Sequence, residues 1–478
     1  MSTFSGLNTA STALWAAQRG MDVTGQNIAN VNTAGYSRQR VDQVAMGGTA
    51  VPAVHSVSTG IDGGVDAEQV RRVRDALLEA RGHLETAKTA QLTAESAALS
   101  GVEDAFREPG DSGLQSMLAD VWSGLSELSN SPKTLASRSQ VLERLDTLAD
   151  GMRTTRASLD QQWDQTRDGV SALVQDVNAS AASVAELNVA IRQATLSGFP
   201  VNELSDRRDA LVVKLSEAVG AIAVPRADGV VDVTVGGTTL VSGGNSIAVA
   251  LTGTDTPDDV ATDAPRLVTD PGGTTLRVGG TAAGRLTALT TTVPGYRTQL
   301  DTLARSIAQT MNTAHAQGFD STGARGGPLF DDGTGGTGPV DVSTITAANL
   351  TLRMTDPARF AAASTDPATI GGVPSSDGGN ADAMFELSLD TAGLDATYRK
   401  LVVSLGVQSA VATRDLEVQQ VVSVQVDAAR ESVSGVNLDE EMTNMLSFQH
   451  AYSAAARMVS AIDQALDTLI NRTGVVGR

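Results

Sequence analysis

Apolar residues recur at helical spacing at both ends of the chain. The N-terminal row consists of Leu7, Leu14, Met21 and Ile28, which are seven residues apart. The C-terminal row has one full heptad step followed by alternating steps of three and four, and it consists of Leu438, Met445, Phe448, Tyr452, Ala455, Val459, Ile462, Leu466 and Leu469. These rows predict two amphipathic helices of the coiled-coil type, one near each end of the chain.

Each predicted terminal helix needs a partner that covers its apolar row. A helix of this length is marginal in water on its own, and burying one Leu, Ile, Met or Phe side chain contributes roughly 1.5–3 kcal/mol. The partner is either the other terminal helix, packed within one monomer, or another subunit. Ser11, Gln18 and Gly25 interrupt the N-terminal stripe, and such small or polar residues favour close, exchangeable packing over a fixed core.

The middle of the chain alternates between helical and strand patterns. Residues 66–219 are predicted as nearly continuous helix, in which Trp163, Val170, Val177, Val184 and Ile191 recur every seven residues. Between residues 221 and 286, β-branched and polar residues alternate between glycine pairs, which predicts strands and hairpins. Helical spacing returns at 296–316 and at 397–432, on either side of a Gly- and Asp-rich segment with short β-like runs.

The predicted fold class is mainly α with inserted β domains. The two ends of the chain, residues 1–65 and 433–478, are expected to pair as a coiled-coil assembly domain. Residues 66–220, 291–330 and 397–432 are expected to form a long helical rod domain. A β domain inserted at 221–290 and a Gly/Asp-rich, β-like insertion at 331–396 complete the prediction.

Composition and charge narrow the range of partners. The formal net charge of the 478-residue chain is −20, which opposes binding to a phosphate backbone, so we expect no nucleic-acid partner. No segment has the length and hydropathy of a transmembrane helix, and we expect no membrane insertion. The first residues lack a basic region followed by an apolar one, so no cleaved signal peptide is expected. The absence of cysteine excludes disulfides and thiolate metal sites.

No catalytic motif stands out. The chain has no P-loop, HExxH or GxSxG sequence. Its four histidines, His55, His83, His315 and His450, are not at metal-ligand spacing from one another. A packing or surface role fits them better than the role of a base or a ligand. We therefore predict a protein that is not an enzyme and that binds no cofactor and no metal.

A polar stretch ends the N-terminal helical pattern, with the sequence NIANVNTAGYSRQ from residue 27 to residue 39. Asn and Gly tolerate left-handed geometry, and an Asn side chain can satisfy the last free carbonyl groups of a helix. A simple helix exit explains one asparagine and the glycine. It does not explain the whole set, which is Asn27, Asn30, Asn32, Thr33, Gly35 and Tyr36.

This stretch also carries a family resemblance. The sequence DVTGQNIANVNTAGYSRQR, residues 22–40, resembles the N-terminal signature of flagellar rod, hook and hook-associated proteins. The segment that begins SGVNLDEEMTNMLSFQHAYSAAARM, from residue 434, resembles the C-terminal signature of the same axial proteins. Between them, NELSDRRDALVVKLSEAV (202–219) and LARSIAQTMNTAHAQGFDSTG (303–323) are similar to the hook–filament junction members of that family.

The resemblance implies a structural adaptor that joins the flagellar hook to the filament. Its terminal helices would pair as an inner domain along the axial channel, with helical and β domains further out. The implied partners are further copies of the chain in a ring-like assembly, the hook protein, a second junction protein and an export chaperone that binds the C-terminal helix. The protein would leave the cell unfolded through the flagellar type III apparatus. The Asn-rich turn and the two apolar rows would form the assembly interface.

Two other functions remain open at the level of sequence. A hook or distal rod subunit would share both terminal signatures, but such subunits generally lack the long helical stretch that contains NELSDRRD. A secreted adhesin would use the glycine-rich β segment between residues 221 and 290, and a ligand for that segment alone would favour it.

Overall fold

The computed structural model describes residues 3–33, 35–46, 63–335, 339–372 and 376–472. The α-helices in these ranges are α1 (Thr3–Ala29), α2 (Ala76–Phe106), α3 (Leu114–Asn130), α4 (Leu135–Leu196), α5 (Asn202–Val219), α6 (Gly280–Thr287), α7 (Val293–Gln317), α8 (Pro367–Ile370), α9 (Gly379–Glu386), α10 (Leu394–Ser434) and α11 (Leu438–Asp467). The strands are β1 (Gln39–Ala45), β2 (Val65–Arg72), β3 (Ala221–Pro225), β4 (Val231–Val235), β5 (Thr238–Ser242), β6 (Asn245–Ser246), β7 (Ala248–Thr252), β8 (Arg266–Asp270), β9 (Phe330–Asp331) and β10 (Thr351–Leu352). The fold is mainly helical with β segments inserted in the middle, as predicted.

Helix α4 is the spine of the molecule. It spans 62 residues and packs against α2, α3, α5, α6 and α7 and against the β segment. The heptad predicted for it is confirmed, because all five of its members are buried: Trp163, Val170, Val177, Val184 and Ile191. The Trp163 indole also donates a hydrogen bond to the carbonyl of Leu289. One continuous apolar cluster therefore runs from α2 to the first turns of α10.

The inserted β segment packs against α4. Strands β3, β4, β5 and β6 form an antiparallel sheet in that order, and β7 pairs with β8. Alternate valines of β4 are buried, as expected for a sheet with one face on a core. Asn188 of α4 fastens the sheet, because its amide donates to the carbonyls of Val231 and Gly243 and accepts from the Val231 N–H.

Two predicted segments differ from the structure. Residues 66–72 were expected to be helical, but they belong to β2, which pairs with β1 as an antiparallel hairpin. Helix α2 begins only at Ala76, where Asp75 caps two backbone N–H groups. Residues 331–396 were expected to be β-like, but the described residues of this range form only β9, β10, short helices and the start of α10. The Asp-rich turns explain this, since carboxylates such as Asp356 and Asp366 accept backbone N–H bonds and cap helical turns.

His315 is a buried core histidine at the end of α7. Its Nδ1 lies 2.6 Å from the carbonyl oxygen of Gly327, and its Nε2 accepts a hydrogen bond from the Ala361 N–H at 2.8 Å. The ring also packs edge-on against Phe360. Both nitrogens are thus used by a neutral ring that carries its proton on Nδ1, and burial lowers the pKa of His315 to about 4.

Acidification is therefore expected to weaken the fold around His315. A folded pKa below the ordinary value of 6.5 means that the stability is fully present above pH 6.5 and is lost as the pH falls towards 4. Between pH 7 and pH 5 we expect the free energy of unfolding to fall by about 2 kcal/mol from this group. Denaturant titrations at the two pH values measure the loss, and ring NMR assigns it. His450→Gln, a change on an exposed part of α11, should leave the loss unchanged, and a His315 ring that titrates near 6.5 would contradict the assignment.

Candidate assembly interface

The two terminal helices pack against each other in antiparallel orientation. Asn27 near the end of α1 bonds to Glu441 at the start of α11, and Gly6 near the start of α1 lies beside Ile462. Between these contacts, Gly20 faces Phe448 so closely that an added Cβ would lie 2.6 Å from the ring. Of the two partners left open by the sequence, the structure shows the terminal helices paired with each other within one chain.

The buried seam of α1 is rotated away from the predicted row. Leu7, Leu14, Met21 and Ile28 are only partly buried. The most buried positions of α1 are instead Ala10, Ala16, Ala17, Gly20, Val23, Thr24 and Asn27. Small side chains let α11 and the β1–β2 hairpin approach the helix backbone closely, which a Leu row would prevent. The row predicted for the assembly interface is therefore not the centre of the packing within one chain, and its side chains remain partly exposed.

The C-terminal row shows the same incomplete burial. Met445, Phe448, Tyr452, Val459, Ile462 and Leu466 are partly buried on the side of α11 that faces α1. Leu438 and Leu469, at the two ends of the row, are exposed. Only Glu441 and Ala455 of α11 are fully buried among its described residues. The pair of terminal helices thus leaves apolar surface uncovered along its whole length.

Asn27 is the polar centre of the turn that follows α1. Its side chain is buried and makes four hydrogen bonds, which is the full capacity of an amide. The amide nitrogen donates to the Gln39 carbonyl and to Glu441 Oε2, at 2.9 and 3.0 Å. The amide oxygen accepts from the Tyr36 hydroxyl and the Gln39 N–H, at 2.8 and 3.0 Å. One side chain therefore joins helix α1, the turn, strand β1 and helix α11.

Glu441 is the charged counterpart of Asn27. Its carboxylate receives Arg38 Nε and Nη2, both at 2.8 Å, and the side chain is only 2% exposed. Arg38 also pairs with Glu440, which is 58% exposed, and its backbone N–H donates to the Ser434 carbonyl. The start of α11 is thereby attached to the chain that leaves the Asn-rich turn.

Removing the Glu441 carboxylate is expected to detach the terminal pair. The substitution Glu441→Ala leaves the Arg38 guanidinium and the buried Asn27 amide without their shared acceptor, and breaking a buried pair of this kind costs about 3–5 kcal/mol. Glu440→Ala is the matched control, because an exposed pair contributes about 1 kcal/mol or less. Amide hydrogen exchange across α1 and α11 measures the difference. Equal loss of protection in both variants would contradict the role given to Glu441.

A cluster of arginines and aspartates joins the hairpin to α5. Asp206 accepts hydrogen bonds from the Ser37 hydroxyl at 2.9 Å and from Arg72 at 2.8 Å. Asp209 accepts from Arg72 and Arg74, both at 2.7 Å. Both carboxylates belong to the NELSDRRD segment, whose Asn202 also donates to the Gln39 side chain and the Val70 carbonyl. This segment of α5 therefore binds both the Asn-rich turn and the hairpin through hydrogen bonds and ion pairs.

Burial and neighbouring charges keep the Tyr36 hydroxyl protonated and the Asp209 carboxylate ionised. Burial, Asp206 and Glu441 together raise the pKa of Tyr36 to about 12, so the hydroxyl remains a donor to Asn27 at neutral pH. Burial raises the pKa of Asp209, but the guanidinium groups of Arg72, Arg208 and Arg74 outweigh it and hold that pKa below its usual range. Asp209 thus stays charged wherever the protein is folded near neutral pH.

The other predicted residues of the turn lie at the surface. Asn32, Thr33 and Gly35 are exposed and Asn30 is partly buried. Asn30 donates to the Gln26 carbonyl and accepts from the Thr33 hydroxyl, which closes the end of α1. Gly35 has a φ of +80°, a left-handed conformation that favours glycine. Asn30, Thr33 and Gly35 line an open cavity of about 590 Å³ together with Glu203 and Arg207 of α5.

Sequence reasoning missed the partners of the turn. Arg38, Ser37, Glu441 and the two α5 aspartates were not singled out as parts of the interface. One signal was present, since Glu441 lies four and seven residues before Met445 and Phe448 and so shares their apolar face. A charge in that position predicts a buried partner. Within the described residues no group of side chains could hold a metal ion, and no helix is long and apolar enough to cross a membrane.

Comparison with known protein families agrees with this architecture. The model described as flagella basal body rod protein matches residues 7–36, and that of the C-terminal region of the rod proteins FlgEFG matches residues 430–472. The model of the helical domain of the flagellar hook-associated protein FlgK matches residues 99–330. Paired terminal helices with these two signatures define the chain as a flagellar axial protein.

Similar whole proteins narrow the class further. Flagellar hook-associated protein 1 of Bacillus subtilis is 31% identical, with 100% of both chains covered. The protein of the same name in Escherichia coli is 26% identical over 97% of this chain and 99% of its own length. The hook junction protein FlgK of Burkholderia pseudomallei has the same fold, with a TM-score of 0.62, 17% identity, and coverage of 74% of this chain and 100% of that chain. The chain belongs to the flagellar hook-associated protein 1 family, whose members are structural components of the flagellum.

Proposed function

We propose that this chain is the adaptor subunit that joins the flagellar hook to the filament. The observation that carries the proposal is the contact of the Asn-rich turn with both α11, through Asn27 and Glu441, and α5, through Ser37 and Asp206. It combines the terminal signatures of axial proteins with a helical body of the hook-associated type. A hook or rod subunit would share only the terminal part of this arrangement. The NELSDRRD segment, which lies inside the matched helical region, favours the junction protein over both.

Self-assembly through the terminal helices is the mechanism that we propose. The half-buried rows that begin at Leu7 and Met445, together with the exposed residues of the Asn-rich turn, would be covered by neighbouring copies in a ring-like assembly. Each partly exposed Leu, Met or Ile that becomes fully buried adds a fraction of the roughly 1.5–3 kcal/mol available to such a side chain. Many weak contacts of this kind let subunits associate only where a template orders them.

The same proposal specifies the individual protein partners of this chain. One end of the assembly would contact the hook protein and the other a second junction protein, with an export chaperone on α11 before assembly. The protein would act outside the cell, would reach that place without a cleaved signal peptide, and would have no enzymatic activity. The incomplete burial of α11 supports the proposal of a chaperone, since an exposed apolar helix would associate non-specifically unless another protein covered it before assembly.

Deletion of the gene tests the proposal. We expect cells with bare hooks and with filament monomers in the medium, because the filament would lose its attachment while the hook would not. Electron microscopy of the cells and immunoblots of the medium measure both results, and the wild-type gene on a plasmid is the control. Cells without hooks would contradict the junction role and favour a hook or rod subunit.

A further inference from the structure

Helix α10 carries an exposed valine face. Six valines on one side of the helix are each more than half exposed, and they are Val403, Val407, Val411, Val418, Val421 and Val424. From Val403 to Val424 they span 22 residues, or about 32 Å of helix. The buried residues of α10, Tyr398, Leu401, Leu405 and Val426, lie on the opposite side, where the helix packs against α2.

The valine face is exposed to solvent in the monomer. Valine is a poor residue for an exposed helical position, because its branched Cβ loses rotamer freedom against the preceding turn. A solvated helix face is normally built from Glu, Lys, Gln or Ala. Contiguous apolar surface of this size on a protein exterior marks an interaction site.

A groove with complementary shape lies on another side of the body. It has a volume of about 810 Å³ and runs along α2 between α4, α6 and α10. Its floor consists of small residues, among them Thr86, Thr89, Thr93, Ala97, Gly101 and Gly169. From Thr86 to Gly101 it follows about 22 Å of helix. Branched side chains of an incoming helix fit between such small residues, as ridges fit into grooves.

The two surfaces point in nearly opposite directions. Ser423 and Asp427 of α10 border the groove, and at 100° per residue they lie about 160° around the helix from the centre of the valine face. A subunit with a ridge on one side and a groove on the other associates head to tail, which builds rings or helical tubes. Pairing of two valine faces would instead be isologous and would give a closed dimer.

Charge also favours the pairing of ridge with groove. Arg414 lies among the valines and has no ion pair or hydrogen bond within the described part of the chain. Glu217 is an exposed groove residue whose carboxylate likewise has no partner among the described residues. The groove's Arg285 is already engaged by the Gly169 carbonyl, and its Asp427 by Arg430. Thr89 Oγ1 and Gln162 Oε1 in the wall have no hydrogen-bond partner within the described residues either. The groove thus offers an acidic group and polar atoms to Arg414 of an incoming α10.

We propose that the valine face of α10 docks into the α2–α4 groove of a neighbouring copy of this chain. This contact lies outside the terminal helices and links the bodies of adjacent subunits side by side. The proposal rests on the proposed function, since it needs copies of the chain that all point the same way. α10 leads directly into α11, so the contact continues the terminal assembly surface onto the body.

Paired cysteines test the contact in assembled flagella. The chain has no cysteine of its own, so Val411→Cys and Thr93→Cys can be introduced without background. Both positions lie near the middle of their surfaces and therefore come within reach whichever way the helices run. After mild oxidation of isolated hook–filament structures, the double variant should give a ladder of dimers and larger oligomers of this chain. Each single variant should give none.

The controls separate the contact from the junction function. Ser123→Cys on the exposed side of α3 replaces Val411→Cys in the control pair, which should not cross-link. The contact would be overturned if two double variants kept their filaments attached but gave no ladder. These variants are Val411→Cys with Thr93→Cys and Val418→Cys with Ala97→Cys. The junction role would stand in that case. Dimers from Val411→Cys alone, or a cross-link to a protein of another mass, would overturn the contact as well. The junction role itself fails if the gene deletion leaves filaments attached or leaves cells without hooks.

Negative charges introduced into the valine face give a second readout. Val411→Asp together with Val418→Asp should leave the melting temperature of the purified monomer unchanged, because both side chains are solvated there. The same variant should lose at least tenfold in filament attachment. Unchanged attachment would contradict the contact.

Discussion

A chain that lacks residues 438–478 is expected to fold and to fail in assembly. The continuous apolar cluster of the body ends at Leu405 and includes no residue of α11. Helix α11 instead contacts α1, and through Arg38 it contacts the turn. Truncation therefore removes the terminal pair and leaves the body's core intact. In cells we expect a loss of filament attachment as complete as in the gene deletion.

Two measurements on the truncated chain separate folding from assembly. Thermal unfolding of the purified protein should keep the main transition within a few degrees of the full-length chain. Hydrogen exchange should show α1 unprotected, because its seam loses Phe448 and Glu441. Attached filaments in cells that express only the truncated chain would disprove the assembly role of α11. A body that no longer unfolds cooperatively would show that the terminal pair is part of the core.

The substitution Gly20→Leu is expected to separate the terminal helices. A Cβ at this position would lie 2.6–2.7 Å from three atoms of the Phe448 ring, and a full Leu side chain would occupy the space of the ring. Overpacking of this kind costs about 1–3 kcal/mol even where neighbours can shift. Since the terminal pair has little other buried apolar surface, we expect it to open and assembly to be lost.

Gly25 provides a matched control on the same helix. A Cβ there meets nothing within 4 Å, so Gly25→Leu changes the same residue type without a clash. It should stabilise α1 slightly, by about 0.5–1 kcal/mol, because glycine is a poor helix former. Adding Phe448→Ala to Gly20→Leu should restore part of the pairing by exchanging a large residue for a small one. Exchange protection of α1 and filament attachment are measured for all three variants, and similar losses at Gly20 and Gly25 would disprove the close approach.

The local patterns of this chain were sufficient to predict its long helices, but not the short helices α6, α8 and α9. The heptad in α4 repeats without interruption by proline, and periodicity alone located both that helix and its buried side. The two terminal helices and the mainly helical fold class with a central β insertion were predictable for the same reason. The hairpin of β1 and β2 was not, because β2 carries charged residues such as Asp66 and Arg72, and its pairing depends on contacts with α1 and α5.

The candidate site was predictable only in part. Asn27 and Tyr36 were singled out because too many polar residues follow one helix, but their partners are far away in sequence. Arg38 and Glu441 are 403 residues apart, and no local pattern connects them. The buried side of α1 shows the same limit. The row of large apolar residues marks one side of the helix, but α11 and the β1–β2 hairpin pack against another side that carries smaller residues.

The sequence by itself determined that this protein has two amphipathic terminal helices, a long helical body and no catalytic motif. These properties follow from spacing and residue type within single elements. Only the tertiary structure decided that α1 and α11 meet through Gly20 and Asn27, and that α5 supports the turn. It also decided that α10 turns its valines outward. The physical reason is that burial and charge pairing depend on which distant elements become neighbours, and local periodicity does not contain that information.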